Sequence, residues 1–513
     1  MRFQQYGNNK SKAPALIGVC IILLVTACST NPGQLGNSAA GQTSVQNGPQ
    51  DNPNSGSYQG VTIQVPSHNA ALSTPGAYPT DGTTPGGTPT QGQGNPDPPP
   101  GPVPQGQGTV PSAFPHYFSF GAMNPPGSAS QLDDMRSRNG TAFSFRYQYL
   151  TGGVNTGSGW ERWQQPSGQF ATSYMQESAQ HSYMPVFVYY EICLSNGPHP
   201  GNYCGGHNIE QDTSNLADAS TMNAYFANWV LMLQKIGAFG KPVFVVVEPD
   251  LWGFLQNATH GSNNAATVPA SVSSSGFGDA SGYPNNAQGF AWALLHMRDK
   301  YARNAILALH ASTWAAGDDI ATDTNPNVNV PGLAQKEANF LNTAGLTGNP
   351  GGVSSWDVIS NDVADFDSGQ PGGRSWWDRY NRTFPNFSRY LTFIGDLSKD
   401  THRRIVMWQV PMGNQYFDTM NNSPGHYQDN RAEYILNNVV SFATAGIIAV
   451  LFGPGNGGTM NIDAARDGVT NPGPISSYEC NNCNNHTSNY PDDDGGYLRI
   501  FVGQYLRNPV GLS

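Results

Sequence analysis

Five short stretches of the 513-residue chain bring together side chains that can transfer protons and grip polar rings. Glu248-Pro249-Asp250 follows the apolar run Val243 to Val247, and Trp252 comes just after it. Tyr190-Glu191 closes an earlier apolar run. His310 closes a later one, with Trp314 shortly beyond. Ser360-Asn361-Asp362 leads on toward Asp365 and Asp367, and Trp408-Gln409 is followed by Asn414. In an extended chain Glu248 and Asp250 point the same way. Two neighbouring carboxyls repel, so one is expected to keep its proton to a higher pH and to serve as an acid.

This mixture suits carbohydrate. Tryptophan and tyrosine faces stack on pyranose rings, while Asn, Gln, Asp and His hydrogen-bond hydroxyls. Two carboxyls flanking a glycosidic bond supply the acid and the base that hydrolysis needs. Glu248 is expected to act as the general acid, and Asp362 or Asp250 to activate water. Glu191 is expected to orient or substitute for them. Trp252, Trp314 and Trp408 are candidates for stacking; Tyr190, His310, Gln409 and Asn414 are candidates for contact with substrate. The alternative for any one of these acids is a buried carboxyl that anchors a loop through an Arg or backbone partner.

The elements that carry these residues repeat. Eight apolar runs occur at Tyr117–Met123, Ala142–Leu150, Pro185–Cys193, Pro242–Leu251, Ala305–Ser312, Trp356–Val363, Arg404–Met412 and Gly446–Gly453. Continuous β-branched or aromatic runs such as Val243 to Val247 are typical of strands covered on both faces. Amphipathic segments lie between them at Met222–Ile236, Ala287–Lys300, Leu333–Leu341, Trp377–Leu397 and Asn430–Ala443. Eightfold strand–helix alternation predicts an α/β fold, a closed (β/α)8 TIM-type barrel. An open doubly wound sheet would carry a Gly-rich phosphate turn after its first strand, and Phe120 to Pro125 is not one. In a barrel of this type the chemistry sits at the carboxyl ends of the strands, where the residues above fall.

The N-terminal part is of another kind. Arg2, Lys10 and Lys12 precede the apolar run Ala15 to Val25, which is short for a membrane span and suits a signal peptide. Val25-Thr26-Ala27-Cys28 resembles a bacterial lipoprotein box, which implies lipidation at Cys28; an ordinary signal cleavage near Ala27 is the alternative. Residues 28–111 are rich in Gly, Pro, Ser, Thr, Asn and Gln, and from Ser29 to Val110 the only charges are Asp51, Asp81 and Asp97. Such a composition cannot bury enough apolar surface to offset chain entropy, so a disordered stalk is expected. Residues 1–27 are then the signal, 28–111 the linker and 112–513 the barrel. The expected location is the cell membrane or surface, outside the cytoplasm.

Net charge is −11 with 12% charged residues and no basic stripe, which argues against nucleic acid as a partner. The expected partners are a polysaccharide and, through Cys28, a membrane; the barrel is expected to be monomeric and to need no cofactor. Cys193, Cys204, Cys480 and Cys483 form an even set suited to two disulfides outside the cytosol, with Cys193–Cys204 and Cys480–Cys483 preferred. A four-thiolate zinc site is the alternative, since Cys480 and Cys483 have zinc-ligand spacing.

The segment from Tyr190-Glu191 through Met222–Ile236 to Glu248-Pro249-Asp250 resembles the inverting cellulases of glycoside hydrolase family 6, as does the turn Ala311–Ala316 with Trp314. The resemblance implies a β-glucan-like substrate and an inverting mechanism. It covers about 130 residues, from Tyr190 to Ala316. Two features depart from the family. Its loop after the Tyr-acid strand is Asp-rich, whereas Leu194 to His199 has no Asp, and its barrel lacks one strand of eight. Retaining (β/α)8 glycosidases need Asn-Glu after the fourth strand and a Glu after the seventh; Val247-Glu248 and Gln409 do not match that scheme. A non-catalytic glycan-binding lipoprotein, or a purely structural envelope barrel, would have the same fold without a working acid–base pair.

Overall fold

The computed structural model describes residues 108–195, 209–363, 377–411, 430–453 and 497–512. All of these belong to one compact unit. Cys28, Cys204, Asp365, Asp367, Asn414, Cys480 and Cys483 lie outside the described residues, as does the stalk up to residue 107. Residues 108–111, expected in the linker, lie against the barrel instead, where Arg404 donates to the Gly108 carbonyl at 3.1 Å and Val110 packs on the core.

Eight parallel strands close a barrel in sequence order. They are β1 (Ser119–Met123), β2 (Phe145–Thr151), β3 (Met184–Tyr190), β4 (Val243–Val247), β5 (Ala305–Ala311), β6 (Val358–Asn361), β7 (Ile405–Pro411) and β8 (Ile447–Gly453). β1 pairs with both β2 and β8, which leaves no free edge. Each strand coincides with one of the eight apolar runs. The count is one more than the family 6 resemblance implies.

The described helices are α1 (Ala129–Asn139), α2 (Gln169–Gln180), α3 (Ile209–Ala217), α4 (Ala219–Phe239), α5 (Pro249–Ala258), α6 (Ala287–Tyr301), α7 (Val330–Leu341), α8 (Phe387–Thr401), α9 (Arg431–Asn437), α10 (Val439–Thr444) and α11 (Tyr497–Tyr505). Asp218 caps α4 by accepting from the Thr221 amide, Asn286 caps α6 through Gly289, and Asn386 caps α8 through Arg389. The amphipathic stretch from Trp377 becomes helical only from Phe387; Trp377 itself is buried against Phe387 and Tyr390. The stretch Asn430–Ala443 is broken into two short helices at Asn438. No described helix is long and apolar enough to cross a membrane.

Side chains fill the barrel. Phe114 plugs its amino end, 4.9 Å from Phe145 and 5.3 Å from Phe244, ring to ring. Gly121 in β1 has no room for more: a Cβ there would lie 2.5 Å from Leu451 and 2.6 Å from Phe145. Nearer the carboxyl end, Trp408 is flanked edge-on by Tyr147, Tyr149 and His310 at 6.0–6.5 Å. Aromatic bulk on three strands thus forms the floor of the mouth.

Candidate active site

Two strained residues mark the mouth. Glu248 has φ 46° and Gln409 has φ 51°, in the left-handed region that non-glycine residues rarely occupy. At Glu248 the extended chain stops. Pro249 cannot continue a strand ladder and suits the first turn of a helix, so α5 begins there. Glu248 and Asp250 are therefore not two residues of one strand pointing the same way, as the sequence suggested. Glu248 turns into the protein and Asp250 stands in the first turn of α5.

Glu248 is fully buried. Both of its carboxyl oxygens accept from the backbone amides of Glu191 and Ile192, at 3.1–3.3 Å. The Tyr225 hydroxyl faces the same carboxyl without closing a well-aligned hydrogen bond. Burial pushes Glu248 up to about 8 despite these donors. Glu191 is also fully buried, and its carboxyl is raised by burial and then by Glu248. These two acids lie beneath the mouth and tie the end of β3 to the start of α5.

Asp250 is partly exposed, and the Tyr190 hydroxyl donates to its Oδ2 at 2.7 Å. Beside it is an acid that the sequence reading missed. Asp212, on α3, is 3% exposed, and its Oδ1 has no hydrogen-bond partner. Burial, and then the charge of Asp250, push it up to about 8. In the sequence Asp212 looks like an ordinary acidic residue in a helix's first turn. Its neighbours show why it is buried. On the same helix Gln211 donates to the Cys193 carbonyl, and Asn215 donates to the carbonyls of Ile192 at 2.8 Å and Ser195 at 3.3 Å. α3 therefore clamps the turn after β3 and carries Asp212 down with it.

The opposite wall comes from β5, β6 and β7. Fully buried His310 has Nε2 3.2 Å from Asp362 Oδ1 and Nδ1 3.2 Å from Ser360 Oγ. The Trp408 indole N–H donates to the same Nδ1 at 3.3 Å. Asp362 retains 17% of its side-chain exposure. β7 shifts register against β8 between Met407 and Val410, a bulge that turns Gln409 toward β2, where its Oε1 accepts from the Tyr149 hydroxyl at 3.0 Å. Gly453 makes room for this turn, since a Cβ there would lie 3.1 Å from the Gln409 Cα and 2.5 Å from the Tyr147 hydroxyl.

Three expectations for substrate contact are corrected. Trp252 is fully buried; its N–H donates to the Val247 carbonyl at 3.0 Å and its ring stacks on Phe290. It is a core residue, because α5 turns that face inward. His310 reaches no solvent and contacts Asp362 instead. Trp408, 3% exposed, is floor rather than open platform. Trp314 remains partly exposed, 4.8 Å from Phe254, and a Cβ on Gly253 would lie 2.7 Å from its ring. Cys193 is buried after β3; its expected partner Cys204 lies outside the described residues. Among the described residues no group of three or more His, Cys, Asp or Glu side chains is arranged to hold a metal.

Fold and site together define a (β/α)8 barrel with a carboxyl-rich, aromatic-floored mouth. No protein-family model and no curated protein matches the chain. Solved structures similar to it include a fungal β-1,4-galactanase, at 10% identity over 75% of this chain and 99% of that one, with a TM-score of 0.36. The YdhT protein from Bacillus subtilis is 11% identical over 67% of this chain and 84% of that one, TM-score 0.36. A β-mannanase from a symbiotic protist of the termite Reticulitermes speratus is 11% identical over 66% and 80%, TM-score 0.33. These likenesses carry no information on chemistry.

Proposed function

We propose that the protein is a polysaccharide-cleaving glycoside hydrolase acting by an inverting acid/base mechanism, with a β-glucan-like chain as the favoured substrate. The observation that carries this reading is the Asp212–Asp250 pair at the carboxyl end of the barrel. Asp212, raised to about 8, keeps a proton at neutral pH beside an acid that reaches solvent. The acid role read for Glu248 from the sequence passes to this pair, because Glu248 is buried and committed to backbone amides. The pair holds one proton between its two carboxyls. As Asp212 passes it to Asp250, Asp250, held in place by Tyr190, hands a proton on to the departing glycosidic oxygen, and both acids are left ionised. Asp362, two strands further round, takes a proton from water as its oxygen bonds to the anomeric carbon. The bond to the leaving sugar breaks in the same step. Trp314 offers a ring face to a sugar.

The chain is further proposed to be an exported lipoprotein, anchored at Cys28, with residues 29–107 as an unfolded stalk. Cys193–Cys204 and Cys480–Cys483 are proposed as disulfides.

Reducing-sugar release from glucans, mannans and galactans tests the enzymatic reading, with Asp250→Asn and Asp212→Asn as controls. Early products should show inverted anomeric configuration by proton NMR. Binding of a glycan without any cleavage would leave a glycan-binding lipoprotein instead.

A further inference from the structure

Three strand ends meet at His310, and their donor chemistry selects the tautomer of its neutral ring. An indole N–H can only donate. Trp408 Nε1 lies 3.3 Å from His310 Nδ1, so Nδ1 is the acceptor. In the neutral ring the proton then sits on Nε2, since the partner of one ring nitrogen sets the state of the other. Nε2 faces Asp362 Oδ1 at 3.2 Å, off the line of a full hydrogen bond. Contacts of this kind are often loose before substrate arrives and tighten in the complex. Ser360 Oγ, 3.2 Å from Nδ1, holds the ring from the β6 side.

We propose that His310 is a positioning residue for Asp362. Locked as the Nε2–H tautomer by the Trp408 indole, it donates to the Asp362 carboxyl and orients it as the base that activates water. This rests on the glycosidase reading above. His310 is fully buried, whereas Asp362 is partly exposed. During the reaction the proton lost by water goes to Asp362, and His310 keeps its own. Trp408 thereby has a task besides forming the floor, since its N–H selects the tautomer.

Two measurements on the full chain test this. In protein labelled with ¹⁵N-histidine, the His310 ring, assigned by its loss in His310→Gln, should show the Nε2–H pattern. Trp408→Phe should admit the Nδ1–H form. An Nδ1–H ring in the wild type overturns the proposal. On whichever polysaccharide the wild type cleaves, His310→Leu should lower kcat about 10-fold or more, part of the ~10²–10⁴-fold a general base supplies, with KM little changed. His310→Gln, which keeps an N–H near the Nε2 position, should recover most of that loss. Equal losses in the Leu and Gln variants, with an active wild type, overturn the positioning role alone. A wild type that cleaves no member of the panel sinks the glycosidase reading and this proposal with it.

Discussion

The hydroxyl of Tyr190 donates to Asp250 Oδ2 at 2.7 Å, joining the last residue of β3 to the first turn of α5. It fixes the one acid of the Glu-Pro-Asp motif that reaches solvent. Tyr190→Phe keeps the ring and removes this bond, so it should lower turnover modestly while the fold survives. Asp250→Asn should cost about 10²–10⁴-fold, the usual worth of general acid–base catalysis. Initial rates of reducing-sugar release, with circular dichroism as the folding control, check both. Wild-type rates in Asp250→Asn would remove the pair from the mechanism.

Asp212 makes a prediction about pH. Its folded value, about 8, lies above the ordinary carboxyl range, so between roughly pH 4 and pH 8 the folded state binds the extra proton. Its contribution to stability therefore falls as pH rises through that window and changes no further above it. Asp212→Asn should flatten part of the decline of Tm with pH. Glu248 and Glu337, also raised to about 8, and Glu191, held well above the usual carboxyl range by burial, keep the rest. A Tm–pH curve unchanged by Asp212→Asn contradicts the assignment.

Glu248 is expected to act through structure. Glu248→Ala strands two buried backbone amides, each costing about 1–3 kcal/mol. Glu248→Gln keeps a carbonyl acceptor and should fold close to normally at neutral pH. Denaturant midpoints for the two variants give the comparison, and equal midpoints would refute the anchoring role.

Trp314 is partly exposed beside the mouth and is the stacking candidate. Trp314→Ala should raise KM by up to about 10-fold, in line with the ~0.5–1.5 kcal/mol of an aromatic contact. Its kcat should hardly change. Trp252→Ala should instead unfold or strongly destabilise the domain, because it empties a core position; large aromatic-to-alanine cuts cost about 3–5 kcal/mol. Soluble, stable Trp252→Ala with raised KM would reverse this pairing.

At the other end of the chain, Cys28→Ala should release the protein from membranes when cell fractions are probed. Wild-type protein found only in the soluble fraction of its own host would end the lipoprotein proposal.

The eight strands were legible in the sequence because burial on both faces leaves a continuous apolar run, as in Val243 to Val247, and such runs depend on nothing distant. The convergence of Tyr190, Glu248, Asp250, His310, Asp362 and Trp408 on one end followed from the same alternation, since a barrel puts all its strand ends at one mouth. Depth was not legible. Whether a carboxyl at a strand end faces solvent or backbone amides depends on one dihedral and on what packs above it. Glu248, at φ 46°, turns inward, while Asp250 two residues on reaches the mouth. Asp212 stayed hidden because its burial comes from α3 folding back over the turn after β3, a contact between segments that the sequence does not link. Trp252 and Trp314 are the same residue type at similar distances from their strands. The packing of α5 buries the first between Phe290 and Trp356, while the second lies against Phe254 and stays partly open. Local pattern determined which residues come to the mouth, and tertiary packing decided which of them reach solvent.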